Sequence, residues 1–254
     1  MARDFDGVDD YVDAAVSALT RPCTVVGLVR TETNAEDGNQ GLVAHDSGAN
    51  DGWRVTIAGA AADADFLRLT FGGVALYDFT SLTFTVNTWY FFGVVVPANS
   101  GTATGYLGTL GATPSSATAV VGTMTGTPSR FEIGGLNWFA ASLNGQMAEV
   151  AAYDGALTAA DMAILAEGIS PLLVKPETLV HYFPLWGGYT TEPNLFGGAG
   201  GTVSGALKAD HPAVIYPTRQ KLILPAAAAG GVTIPPLDQG MLTGGLSTLG
   251  GGLI

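Results

Sequence analysis

Residues 145–168, GQMAEVAAYDGALTAADMAILAEG, constrain the fold more than any other stretch, because they read as a strand, a turn and a helix held in one register. Met147, Glu149, Ala151 and Tyr153 alternate with Ala148, Val150 and Ala152, which predicts a strand with one small apolar face and one mixed face. On that alternation Glu149 has Met147 and Ala151 as its same-side neighbours. A helix over 158–167 follows, with Thr158 as N-cap, Asp161 in the first turn, Gly168 as the stop, and Met162, Ile164 and Leu165 on its apolar side. Its counterpart is FDGVDDYVD at 5–13: Asp6 can accept backbone N–H bonds, Gly7 can take positive φ, and Tyr11 and Val12 have strand-favouring side chains.

Between these two stretches strand-like segments recur at short intervals: residues 24–30, 41–45, 53–58, 66–71, 82–86, 89–96, 102–107, 118–121, 131–133 and 141–144. Residues 14–19 read as a brief turn of helix, and 46–52, with its Asp-Gly, as a hairpin connection. Only 13% of residues are charged and glycine is abundant, so tight turns and two packed sheets are favoured over helices.

FDGVDDYVD and GQMAEVAAYDGALTAADMAILAEG resemble the two hallmark segments of the laminin-G-like, concanavalin A-like jelly-roll lectin superfamily, and Asn87-Thr88-Trp89-Tyr90 resembles one of its core strands. Residues 178–205, which include LVHYFPLW and GTVSG, are similar to a strand pair that in this family usually precedes the FDG strand. The resemblance implies an all-β, two-sheet antiparallel jelly-roll sandwich, circularly permuted, with one short helix. The domain expected on this basis is 1–210, with an extended C-terminal arm at 211–254.

Composition excludes several functions. The net charge is −12 and the isoelectric point about 4.3, whereas nucleic-acid binding needs a basic face. Apolar runs such as 89–96 are too short to span a bilayer. The single Cys23 rules out an internal disulfide framework and reads as a buried small hydrophobe. Arg3, Asp4 and Asp6 interrupt the start before any apolar run, so no signal peptide is expected and synthesis is placed in a cytoplasm.

Glycosidases that share the resembled fold set two or three carboxylates on one face, roughly 5–9.5 Å apart. Here Glu149 and Glu132 each read as isolated, and a hydrolase is not expected. His45, His181 and His211 lie near Asp46, Tyr182 and Asp210 in sequence, without a nucleophile elbow. Calcium is the one cofactor with a case: Asp6, Asp9 and Asp10, with Asp13 nearby, are close in sequence, and lectins of the resembled superfamily often bind calcium through such oxygens. Hydrogen bonds within the turn are the alternative reading. Glu32, Glu36, Asp37, Asp46 and Asp51 form a second, similar candidate. For a sugar, Trp53 beside Asp51 and Trp138 beside Asn137 could present a ring at loop tips; core packing is the alternative for both tryptophans.

From His211 onward prolines break regular structure, and after Asp238 there is no ionisable side chain. Ile215, Tyr216, Leu222, Ile223, Leu224, Ile234, Leu237, Leu242 and Leu246 make this segment too apolar for a solvated tail, so an arm docking on a neighbouring subunit is favoured over disorder. The whole is similar to virion accessory proteins of tailed bacteriophages (capsid decoration, tail or fibre components), with other virion proteins or copies of itself as partners. The other reading is a carbohydrate-binding module recognising host-surface glycans, with aromatics and calcium at a loop edge.

Overall fold

The computed structural model describes residues 2–217 except 17, 36–38, 48–50, 61–62, 73–74, 99, 124–126 and 136–140. Its organising strand is β12 (Asn144–Asp154), the predicted strand of the hallmark segment. One edge of β12 pairs along its length with β3 (Cys23–Thr31). Its other edge is shared: β1 (Ala2–Asp6) takes Asn144–Met147, and β13 (Leu179–Phe183) takes Val150–Tyr153. Outward from β3 the sheet continues through β8 (Tyr90–Val96) and β9 (Gly101–Thr109) to β10 (Ser115–Val121), and outward from β1 to β16 (Leu207–Ala209). The second sheet runs β14 (Thr191–Glu192), β15 (Gly201–Ser204), β2 (Tyr11–Ala15), β11 (Arg130–Ile133), β4 (Asn39–Asp46), β5 (Trp53–Ala60), β6 (Asp63–Phe71) and β7 (Ala75–Thr83). All named strand pairs are antiparallel, and the two sheets form a jelly-roll-type sandwich.

Residues 179–209 supply strands to both sheets and form no separate module. Of residues 14–19, expected as a helical turn, Ala14 and Ala15 instead end β2, and the Val16 N–H donates to the Ser129 carbonyl at 3.0 Å.

The main core lies between the sheets and includes Phe5, Val29, Trp53, Phe92, Phe131 and Phe183. A second cluster covers the outer face of the β12 sheet, with Val26, Leu28, Phe91 and Tyr153 under helix α1 (Ala159–Ala166). This explains the apolar run of β3: Val25 and Val29 face one core while Val26 and Leu28 face the other, so no alternation survives in the sequence.

Helix α1 begins at Thr158 through a reciprocal capping box with Asp161, and it is followed by Gly168 at φ +84°. It buries Met162, Leu165 and Ala166; Ile164, expected on the apolar side, is 44% exposed because it lies off that stripe. The helix rests on β8, where Met162 sits so close to Gly93 that a Cβ there would meet its sulfur at 2.8 Å.

Cys23 is buried, and burial pushes its thiol up to about 12, which makes it an inert core residue. A buried ion pair ties the opening strand to the late segment. Arg3 donates from Nε and Nη2 to Glu192 at 3.0 and 2.9 Å, and from Nη1 to the Ala206 carbonyl at 2.8 Å.

Candidate functional site

The acidic turn brings Asp6, Asp9 and Asp10 together, with one carboxylate oxygen of each within 4.8 Å of the others. Asp13 does not join them; it lies on β2 and receives Arg130 at 3.2 and 2.7 Å. Two of the carboxylates already accept backbone bonds, Asp6 from Val8 N–H at 2.8 Å and Asp10 from Asp6 N–H at 2.9 Å. Burial raises the Asp10 carboxyl above its usual range, opposed by that backbone bond. Two of the six carboxylate oxygens are engaged by the turn itself, and those hydrogen bonds account for the positions of Asp6 and Asp10.

The proposed sugar platform at Trp53 is not formed. In the register of β4 and β5, Trp53 stands opposite His45 and points into the core, 1% exposed, with its ring centroid 5.7 Å from the His45 ring. Asp51 instead closes the adjoining loop by accepting from Ser47 N–H and Oγ at 2.7 and 2.8 Å. Asn137 and Trp138 lie outside the described residues, as do Glu36 and Asp37. Of the other acidic residues considered there, Asp46 is fully buried and Glu32 lies 3.9 Å from Arg30.

Of the three histidines, His45 is the most constrained. Its Nε2 accepts the Leu19 N–H at 3.0 Å and its Nδ1 faces the Arg130 carbonyl at 2.8 Å, which suits the neutral ring protonated on Nδ1. Burial lowers its pKa from 6.5 to about 4. Because the unfolded chain binds this proton more readily, the stabilisation is complete above pH 6.5 and is lost as pH falls toward 4, by about 3 kcal/mol. Chemical denaturation at pH 7 and pH 4.5 should show that slope, reduced in His45→Gln. An unchanged slope in the variant would assign the loss to other groups, of which His181, also lowered by burial, is the first.

Glu149 is the residue whose surroundings differ most from the sequence expectation. The regular alternation breaks between Ala148 and Ala151, where the register against β3 shifts and Glu149 takes φ +56°. Met147 and Val150 face the inter-sheet core, whereas Ala148 and Ala151 face the outer cluster. Glu149 is therefore not flanked by Met147 on one face. Its side chain, 4% exposed, reaches the outer side at the point where the edge partner of β12 changes from β1 to β13.

There Glu149 is the centre of a polar cluster rather than an isolated acid. Oε2 accepts from Tyr182 OH at 2.5 Å; Oε1 accepts from Tyr216 OH at 2.6 Å and faces His211 Nε2 at 3.0 Å. His211 Nδ1 faces the Pro212 carbonyl at 2.6 Å, so both ring nitrogens meet oxygen atoms. Burial, and then the Glu149 charge, push both tyrosine hydroxyls well above their usual range and keep them as donors. Beside this cluster Ile215 forms a parallel bridge with Ile169: its N–H donates to the Gly168 carbonyl at 2.7 Å and its carbonyl accepts the Ser170 N–H at 3.0 Å. Chain expected to leave the sandwich at His211 thus stays on it as far as Tyr216. Ile215 and Tyr216 keep 59% and 38% exposure, and the remaining arm residues named above lie outside the described residues.

Val26, Leu28, Phe91, Leu165, Ile169 and Val214 line a recess next to Glu149 with room for about one water molecule. It is too small for a sugar ring. On the outer face of the second sheet Glu132 is likewise not isolated, since Arg130 Nη2 lies 2.9 Å from its Oε1.

The family model described as the concanavalin A-like lectin/glucanases superfamily matches residues 6–163. No curated protein matches. Among solved structures, a candidate carbohydrate-binding protein from Bacteroides ovatus is 19% identical at a TM-score of 0.58, over 85% of this chain and 61% of that one. This chain therefore spans about 61% of the length of that protein. A heptameric SAP-like pentraxin from Limulus polyphemus is 14% identical at 0.53, over 72% of this chain and 91% of that one. A tailspike protein of an Escherichia coli O157:H7 bacteriophage is 16% identical at 0.49, over 70% and 25%. Identities this low show likeness of fold.

Proposed function

This chain belongs to the concanavalin A-like lectin/glucanase superfamily, and from that membership we propose that it is a non-enzymatic binding protein, a structural component of a tailed-bacteriophage virion whose C-terminal arm holds it to a neighbouring subunit. One observation carries the reading: Tyr182, His211 and Tyr216 all direct hydrogen-bonding groups at the Glu149 carboxylate. That arrangement supports a role for the acid in anchoring residues 211–216 to the sandwich rather than in acid–base work on a substrate. Beyond these residues the sequence is apolar and lacks an ionisable side chain after Asp238, which suits burial against another protein surface.

The test compares the solution mass of the full chain with that of a chain ending at Pro217, which keeps residues 211–216. The full chain should form the larger species. Equal masses would remove the arm from assembly. A second reading, a module that binds host-surface glycans, is supported by the likeness to the Bacteroides protein. It predicts retention of the full chain on a glycan array, and calcium dependence if the Asp6, Asp9, Asp10 turn takes part.

A further inference from the structure

We propose that Glu149, Tyr182, His211 and Tyr216 form a site for one ferric ion, held by a carboxylate, two phenolates and an imidazole. The site uses the side chains that anchor residues 211–216 and goes beyond that reading, because it gives them a ligand.

The four donors come from β12, from β13 and from residues 211–216. Three of them form a triangle: Glu149 Oε1 lies 2.6 Å from Tyr216 OH and 3.0 Å from His211 Nε2, and those two atoms are 3.5 Å apart. A point about 1 Å off the plane of that triangle is about 2.0–2.1 Å from all three corners, within the range of nitrogen and oxygen bonds to a small transition-metal ion. The Tyr182 hydroxyl completes the group, 2.5 Å from Glu149 Oε2 and in hydrogen-bonding reach of Tyr216. The bound ion takes the place of the protons that join these atoms without it.

The surroundings favour ligation. His211 turns Nδ1 to the Pro212 carbonyl at 2.6 Å, which fixes that proton and leaves the Nε2 lone pair facing the cluster. A backbone carbonyl on the far nitrogen is a usual outer partner of a metal-bound imidazole. Each phenol oxygen also has an outer donor: the Trp186 indole on Tyr216, and Ser170 Oγ, 3.5 Å from Tyr182 OH. An indole N–H only donates, so it supports a phenolate as well as a phenol.

Charge and acidity select a trivalent ion. Both phenols are held well above their usual range by burial and by Glu149, so a weakly acidic cation such as calcium leaves them protonated. A strongly acidic cation inverts that logic, and the two phenol protons pass to solvent. One carboxylate and two phenolates carry three negative charges. A ferric ion balances all three, as a buried site requires, whereas a divalent ion balances two. The way in is the 211–216 segment, which carries two of the ligands and keeps Tyr216 part-exposed.

The experiment titrates the metal-free full chain with ferric nitrilotriacetate and follows the visible spectrum. One equivalent should bind and give the phenolate-to-iron charge-transfer band of a tyrosine-bound ferric ion. Tyr182→Phe and Tyr216→Phe, checked for folding by circular dichroism, should each bind at least about tenfold more weakly, the loss that even an outer-shell change brings. The double variant should stay colourless. Asp9→Asn, in the exposed acidic turn, should bind as the wild type does. The proposal falls if the wild type stays colourless, if the double variant keeps the band, or if Asp9→Asn abolishes it. Solution mass of the metal-free chain tests the arm separately, so a colourless chain that still assembles overturns the site and leaves the anchorage standing.

Discussion

Arg3→Ala is expected to lower the stability of the folded chain by about 3–5 kcal/mol, because it leaves the buried Glu192 carboxylate without its cation. Arg3 is 3% exposed and Glu192 fully buried, so water cannot replace the lost partner. The guanidinium also serves the Ala206 and Tyr189 carbonyls, and Glu192 Oε1 accepts the Trp186 N–H at 2.6 Å. One side chain thus joins β1 to the chain from 186 to 206, which would otherwise meet the sandwich mainly through the short strands β14 and β15. Burial already holds the Glu192 carboxyl above its usual range, with Arg3 pulling it down. Without Arg3 its folded pKa rises further above the unfolded value. A raised carboxyl contributes stability that is present below the unfolded pKa and lost as pH rises through the folded one, so the variant's deficit should be larger at pH 7 than at pH 4.5. Urea denaturation at both pH values checks this, and a deficit independent of pH would deny Glu192 its part. Replacing both residues by apolar ones, as in Arg3→Met with Glu192→Leu, should recover much of the loss, since the pair itself is costly to bury.

Most strands that build the sheets were legible because their signals are local, although 82–86 catches only the end of β7 and 141–144 only the first residue of β12. Alternation, turn residues and the Thr158–Asp161 box lie within a few residues of what they specify, and the hallmark segments fixed the superfamily. The site was not legible, for two physical reasons. One is the bulge: GQMAEVAAY alternates regularly on paper, and nothing in its composition announces that the extra residue falls at Glu149 and turns it to the outer face. The other is sequence distance. Tyr182, His211 and Tyr216 lie 33, 62 and 67 residues from Glu149, and Arg3 lies 189 from Glu192. Such pairs are created by strand order, which no window of sequence contains. Trp53 was open to either reading because an aromatic after Asp-Gly suits a loop tip or the first inward position of a strand; its register with His45 decides for the core. The useful hint lay in the arm itself, where His211 and Tyr216 are the last His and Tyr in a segment that is otherwise apolar and Gly/Pro-rich.

Glu149→Ala should free residues 211–217 from the sandwich and cost roughly 3–5 kcal/mol, the scale for removing the buried charged partner of several donors. Alanine keeps the strain of φ +56°, so the variant reports the carboxylate and not the backbone. It leaves the Tyr182 hydroxyl, fully buried, with only Ser170 Oγ at 3.5 Å, and it leaves His211 and Tyr216 without their acceptor. Tyr216→Phe removes a single bond and should cost about 1–2 kcal/mol, while Glu149→Gln, neutral but able to accept from one side, should fall between the two. Global stability alone would not separate a clasp from ordinary core damage; hydrogen exchange does. The Ile215 amide, bonded to Gly168, should lose protection in Glu149→Ala while the amides of β3 keep theirs relative to the variant's own stability. If Ile215 stays protected, the parallel bridge holds the segment by itself and the carboxylate is not its anchor. If protection is lost and the full chain also ceases to form the larger species expected of it, anchorage of residues 211–216 at Glu149 is required for that assembly.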